Sequence, residues 1–191
     1  MKKILILDNY DSFTYNLVHY VTEILKHEVD VFRNDKITVA AVANYDIIIL
    51  SPGPGLPKDA GILKAIIKQY APTKKILGVC LGMQAIGEVF GGTLHNLERV
   101  YHGVATPIKV VDTQDVLYAN LELPITVGRY HSWVVSHKNF PECLHVTAVA
   151  ENNQIMSFKH KDYEVYGVQY HPESILTKQG KVILSNFLNH N

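Results

Sequence analysis

The sequence predicts an α/β protein built on an open, twisted, mixed sheet, mostly parallel, with helices on both faces and antiparallel strands added. Three observations carry this. In the first half, apolar runs of strand length alternate with segments of helical spacing, the pattern that places parallel strands in a sheet and helices over it. Several runs, IIIL at 47–50 above all, are apolar without alternation, as strands covered on both faces must be. Beyond Gly91 and Gly92 the texture changes to short, partly alternating strands.

Taken in order, KILILD (3–8) reads as the first strand. Phe13, Leu17, Tyr20, Val21, Ile24 and Leu25 then recur near 3.6 residues, which predicts a helix capped by Asp11 or Ser12. EVDVF (28–32) and DIIIL (46–50) are the next strands, and Ile62, Leu63, Ile66 and Ile67 mark a second helix. KILGV (75–79) is a strand running into the helical segment LGMQAIGEVF. VATPIKVV, LPITVGRY, LHVTAVA, QIMSFKH and YEVYGVQY read as mixed or antiparallel strands joining the same sheet. KVILSNFLNH, with Val182, Ile183, Phe187 and Leu188 at helical spacing, closes the chain. No repeat, low-complexity segment or long linker interrupts this pattern, so residues 1–191 read as one domain.

Composition narrows the function classes. With 47% hydrophobic and 19% charged residues the chain should fold as a soluble globule. Lys plus Arg equals Asp plus Glu at 18 each, which leaves no basic excess for nucleic acid or an acidic membrane surface. The N-terminal apolar run ends at Asp8, too short for a signal peptide, and no stretch reaches the roughly 18 apolar residues that cross a bilayer. Two cysteines make neither a disulfide framework nor a metal-spaced cluster, so no metal site is expected and a cytoplasmic location is.

In wound α/β sheets, ligands bind beyond the carboxyl ends of the strands. Cys80 stands there, in GVCLG between the strand KILGV and the following helix. The string repeats the logic of G-x-S-x-G, in which glycines permit a sharp turn that exposes the nucleophile. The helix start adds partial positive charge, which would lower the thiol pKa from about 8.5. Free cysteine is also among the most buried residue types, so GVCLG alone fits a core residue as well.

A nucleophilic thiol needs a base. Of ten histidines, His19, His27, His160 and His190 lie among polar helix or loop residues, whereas His171 follows the strand YGVQY and opens HPES. Glu173 could orient its imidazole as the acid does in serine and cysteine triads. The alternative for HPE is an ordinary turn with Pro172 at a helix start. SPGPGLP (51–57), directly after DIIIL, is a rigid loop able to aim backbone N–H groups into a cleft, as an oxyanion hole requires, or simply a connection.

Together DNYDSFTYNL, SPGPGLPKDAG, GVCLGMQAIGEVFGG, RYHSW and GVQYHPESILT, in this order, resemble the class I (triad) glutamine amidotransferases. Among these the chain is most similar to small subunits of anthranilate synthase and aminodeoxychorismate synthase, and the resemblance spans essentially all of it. It implies a flavodoxin-like sheet and a Cys80, His171, Glu173 triad that hydrolyses L-glutamine through a thioester. It further implies that the Gly53, Pro54, Gly55 loop, through its glycine N–H groups, and Leu81 stabilise the oxyanion. Gln84, Ser132 and Trp133 would hold the α-amino and carboxylate groups of glutamine. Three positions depart from the common pattern. Met83 stands where many relatives have histidine, Trp133 where leucine is common, and Gly55 where some carry cysteine. Trp133 is tolerable if that position contributes mainly backbone contacts, and otherwise reshapes the glutamine pocket.

The resemblance also implies a partner. Releasing ammonia is wasteful by itself, so a separate synthase subunit that aminates chorismate is expected to receive it. No cofactor is expected in this subunit, and Mg2+ only in the partner. NYDSFTYNL, rich in aromatic and amide groups, is a candidate for that contact, or simply a helix cap. Two competing readings remain: an amidotransferase subunit feeding a different acceptor, and a non-catalytic regulatory module on the same fold.

Overall fold

The computed structural model describes residues 2–190. Its centre is a nine-stranded sheet. Four strands come from the first half of the chain: β1 (Ile4–Asp8), β2 (Asp30–Arg33), β3 (Ile47–Leu50) and β4 (Lys75–Val79). The second half supplies β6 (Val104–Val110), β7 (Ile125–Arg129), β9 (Leu144–Ala150), β10 (Ile155–His160) and β11 (Val165–Val168). The two remaining strands, β5 (Leu94–Asn96) and β8 (Trp133–Val135), pair only with each other as an antiparallel ribbon. Across the sheet the order is β2-β1-β3-β4-β11-β10-β9-β6-β7.

From β2 through β11 every pairing is parallel, and from β11 to β7 every pairing is antiparallel. The parallel part has the 2-1-3-4-5 order of flavodoxin-like sheets, with β11 as the fifth strand. YEVYGVQY is therefore more than an addition at the rim: its core is the central strand where the direction of pairing changes.

Strand periodicity explains the two layers. Ile4, Ile6, Ile47, Ile49, Leu77 and Val79 point to one face and join Leu17 and Val21 of α1 (Thr14–Leu25) and Ile183, Leu184 and Phe187 of α4 (Gly180–Asn189). Leu5, Leu7, Ile48, Leu50 and Ile76 point the other way, against Leu63, Ile66 and Ile67 of α2 (Leu63–Tyr70) and Ile86 of α3 (Leu81–Val89). This is why IIIL carries no polar position: each residue of β3 is buried from one side or the other.

Boundaries differ from the sequence reading at the rim. EVDVF begins too early, because β2 is an edge strand, half-exposed or exposed along its length, and pairs only from Asp30. His160 is the buried end of β10 rather than a loop residue, with its ring stacked 4.3 Å from that of Tyr163. At α1 neither Asp11 nor Ser12 is the cap residue. Asp11 accepts the Phe13 N–H at 2.8 Å in a turn that precedes the helix, and Phe13 takes the cap position. Among the described residues no helix is long and apolar enough to cross a membrane.

Candidate active site

The site lies at the carboxyl ends of the central strands β3, β4 and β11. Cys80 follows β4 directly and adopts φ 52°, ψ −101°, a left-handed conformation that L-residues avoid without compensation. The compensation is visible on both sides. Cys80 N–H donates to the Val168 carbonyl of β11 at 2.8 Å, and its carbonyl accepts from Gln84 N–H at 3.0 Å as α3 begins. Gly78 lets the turn close, because a Cβ there would lie 2.5 Å from the Gly82 carbonyl carbon. The elbow read from GVCLG is thus a strained strand-to-helix turn, and the leading amides of α3, Leu81 first, have no helical acceptor.

β11 delivers the second group. His171 N–H donates to the Gly128 carbonyl at 3.0 Å, and the His171 carbonyl accepts from Thr177 Oγ1 at 2.7 Å, so the backbone is pinned from two directions. Its Nδ1 lies 2.7 Å from Glu173 Oε1, both side chains being at most 2% exposed. HPES is indeed a turn, with Ser174 N–H returning to the His171 carbonyl at 3.2 Å, but Glu173 faces inward. Burial pushes the His171 imidazole down, yet the neighbouring Cys80 side chain and the Glu173 carboxylate outweigh it and hold the pKa well above the usual histidine value. Nε2 of His171 and Oε2 of Glu173 have no hydrogen-bond partner within the chain. Both atoms are free to bond a ligand or water, and catalytic hydrogen bonds often form fully only when substrate binds.

Beside Cys80 opens a cavity of about 180 Å³. Gly53, Pro54 and Gly55 form one wall, Gln84 another, and Ser132 and Trp133 close it. Leu81 is buried just behind Cys80 and packs against Gly53, where a Cβ would meet its Cδ2 at 2.7 Å. All ten residues singled out in the sequence are therefore brought together at one end of the sheet.

The polar geometry assigns each a capability. Gln84 Nε2 donates to the Trp133 carbonyl at 2.9 Å and to Gln169 Oε1 at 3.3 Å, leaving its own oxygen to accept from a ligand. The Trp133 carbonyl is thus a backbone contact of position 133 at the cavity. Met83 is fully buried in the core, where a Cβ on Gly167 of β11 would meet its Cγ at 2.8 Å, and it does not line the cavity. Gly55 has φ 72° with open space around it, a conformation that glycine adopts without strain.

Three residues escaped the sequence reading. Gln169, fully buried, donates to Cys80 Sγ at 3.5 Å. It lies two residues before His171, in the bend that follows β11, and no periodic signal in the sequence marks it. Tyr130 lines the cavity and packs 4.8 Å from the His171 ring and 5.0 Å from Phe13, itself 5.7 Å from His171. The NYDSF segment therefore touches the imidazole through Phe13, while Tyr10 and Tyr15 are exposed. His131, also in the wall, accepts from Arg129 Nε at 3.1 Å and lies 3.1 Å from the Trp133 carbonyl through Nδ1. That pairing requires the neutral Nδ1–H tautomer, and burial, then the Arg129 charge, push its pKa down to about 3. Among the described residues no cluster of His, Cys, Asp or Glu could hold a metal ion.

Comparison with known proteins supplies the family. The class-I glutamine amidotransferase profile matches residues 5–191. Anthranilate synthase component 2 of Pseudomonas aeruginosa is 48% identical over 192 residues, covering 97% of this chain and 94% of that protein. Aminodeoxychorismate/anthranilate synthase component 2 of Bacillus subtilis is 44% identical over 187 residues, covering 97% and 95%. The bifunctional protein TrpGD of Thermotoga maritima is 42% identical over 192 residues, and the chain spans only 32% of its length. Among solved structures, a Thermoplasma acidophilum protein described as one of the subunits of GMP synthase superposes with a TM-score of 0.86 at 26% identity, over 98% of this chain and 92% of that one.

Proposed function

The chain belongs to the class-I glutamine amidotransferase family, and we propose that it hydrolyses glutamine at Cys80 and passes the ammonia to a separate synthase subunit that aminates chorismate. The observation that carries the catalytic part is the buried His171–Glu173 pair at 2.7 Å beside a thiol raised on a strained elbow at the mouth of a cavity. In this reading Cys80 Sγ attacks the amide carbon of glutamine and its proton passes to His171. The imidazolium, stabilised by Glu173, returns that proton to the departing nitrogen, so the C–N bond breaks and ammonia leaves a thioester. Water then cleaves the C–S bond, giving glutamate and the free thiol.

Amides of the Gly53–Gly55 loop and of Leu81 would face the developing oxyanion. The free oxygen of Gln84 would accept from the α-ammonium group, with Ser132 and the Trp133 backbone completing the end of the site. The partner and its acceptor rest on relatives named as component 2 of anthranilate and aminodeoxychorismate synthases, and those names leave both products open. Exposed Tyr10 and Tyr15, on the segment whose Phe13 touches His171, are where such a partner could sense the site.

The test is Cys80→Ser in the complex with the synthase. Glutamine-dependent synthesis should disappear while synthesis from added ammonium persists at the wild-type rate. Retained glutamine dependence would refute the nucleophile, and loss of both activities would point to a structural role instead.

A further inference from the structure

A second cavity, again of about 180 Å³, is linked to the first through His131, which lines the first and accepts from a side chain that lines the second. Its wall includes Arg129, the side chain that donates to His131, together with Arg99, Tyr101, Thr106, Glu151 and Asn152.

Arg129 is an unusual cation. It is 2% exposed, and its guanidinium carbon lies 3.5 Å from the centre of the Tyr101 ring. Its hydrogen bonds go to neutral acceptors, His131 Nε2 and Gln154 Oε1. No carboxylate of the described residues lies within ion-pair distance of it. Burying a charge without a counter-ion is costly, and buried arginines are ordinarily paired. The guanidinium has five N–H donors in a planar fork, and these contacts leave part of the fork unused. Arg99, exposed at the rim, brings a second guanidinium to within 5.1 Å of the centre of the same ring. Thr106 Oγ1 is a buried hydroxyl with no partner.

We propose that this cavity is a carboxylate-binding site, in which one acid group is held between Arg129 and Arg99 against the Tyr101 ring. Two guanidinium groups and an orphan hydroxyl around so small a space match a planar oxyanion of that size. The exposed Glu151 carboxylate on the wall disfavours an extended polyanion and selects a single small acid group. The carboxylate comes either from a free small acid or from an acidic side chain of the partner subunit. Occupancy matters to the first cavity through His131: Arg129 holds one ring nitrogen, and the other meets the Trp133 carbonyl that also anchors Gln84. The binding site itself does not depend on the glutaminase reading.

The experiment is calorimetric titration of the purified chain with sodium malonate at ionic strength held constant with sodium chloride, alongside the chain's affinity for its synthase partner with and without malonate. Arg99→Gln changes an exposed residue that does not line the Cys80 cavity, so it should fold normally and keep the basal glutaminase rate of the lone chain. Arg129→Met tests the buried cation, with a thermal melt to verify folding. Saturable malonate binding that weakens at least tenfold in Arg99→Gln and vanishes in Arg129→Met is expected if a free acid is taken. If the acid group is the partner's, partner affinity falls at least tenfold in Arg99→Gln, and malonate competes where it binds. Malonate binding that is equal in wild type and Arg99→Gln marks another site and overturns the proposal. So does the absence of malonate binding together with unchanged partner affinity in Arg99→Gln. Because neither readout needs glutamine turnover, the inference can fail or stand independently of catalysis by Cys80.

Discussion

Glu173→Gln is the most informative single change, because it keeps the side-chain volume and removes only a charge. Glu173 Oε1 sits 2.7 Å from His171 Nδ1 with both side chains at most 2% exposed, so solvent screens almost nothing. A hydrogen bond to a charged group contributes about 1.5–3 kcal/mol, and removing one partner of a buried ion pair costs about 3–5 kcal/mol. At 1.36 kcal/mol per factor of ten, the loss in kcat/KM for glutamine lies between about tenfold and several thousandfold. The upper end applies if the new amide turns its N–H toward Nδ1. That places the imidazole proton on Nε2, where it blocks transfer from the thiol. The variant should also lower the His171 pKa, since the carboxylate is one of the two groups holding it up. The folded-state pKa lies above the ordinary 6.5, so the stability this proton contributes is fully present below about pH 6.5 and is lost as pH rises through the folded value. Glu173→Gln should flatten that alkaline loss. Glutamate release across pH, paired with urea melts on both sides of neutrality, measures both effects. A kcat/KM within threefold of wild type, with an unchanged pH profile of stability, would refute the role given to Glu173.

Three further outcomes follow from particular contacts. Gly78→Ala places a Cβ 2.5 Å from the Gly82 backbone, and overpacking of this kind costs about 1–3 kcal/mol, a fall of roughly 2–12 °C in Tm, with glutaminase activity lost as the elbow shifts. His131 stays neutral in the fold down to about pH 3 while the unfolded chain takes up a proton near pH 6.5, so stability falls as pH drops below 6.5. The part due to this group is about 2 kcal/mol by pH 5. Urea unfolding of His131→Asn at pH 8 and pH 5 should show that part missing, and an acid slope equal to wild type would contradict it. Trp133→Leu should leave KM for glutamine within about threefold, because the polar contacts of position 133 with Gln84 and His131 run through its carbonyl. A tenfold rise in steady-state assays would show that the indole shapes the pocket.

The alternation of strands and helices in the first half is legible along the chain, because burial from two sides leaves a period of two along strands and 3.6 along helices. The sequence also singled out the thiol and the imidazole that the fold brings to one end of the sheet. A thiol between glycines at a strand end and a histidine leaving another strand end are local features, legible within a few residues of Cys80 and His171. Likewise Pro and Gly in SPGPGLP announce a rigid loop through backbone restrictions that act residue by residue. How those features come together depends on long-range packing. The site is closed by contacts spanning 49 residues from Gln84 to Trp133 and 89 from Cys80 to Gln169, and no local pattern encodes such distances. β5 and β8 are three-residue strands too short to show periodicity, and they exist only because each offers the other a ladder. The inward turn of Glu173 is equally a tertiary outcome, since HPES would suit a solvent-facing turn until Thr177 and Gly128 pin the His171 backbone. Charge bookkeeping hid Arg129 in the same way. A balanced net charge says nothing about which cation is buried without a counter-ion, because that depends on which neutral side chains the folded sheet brings around it.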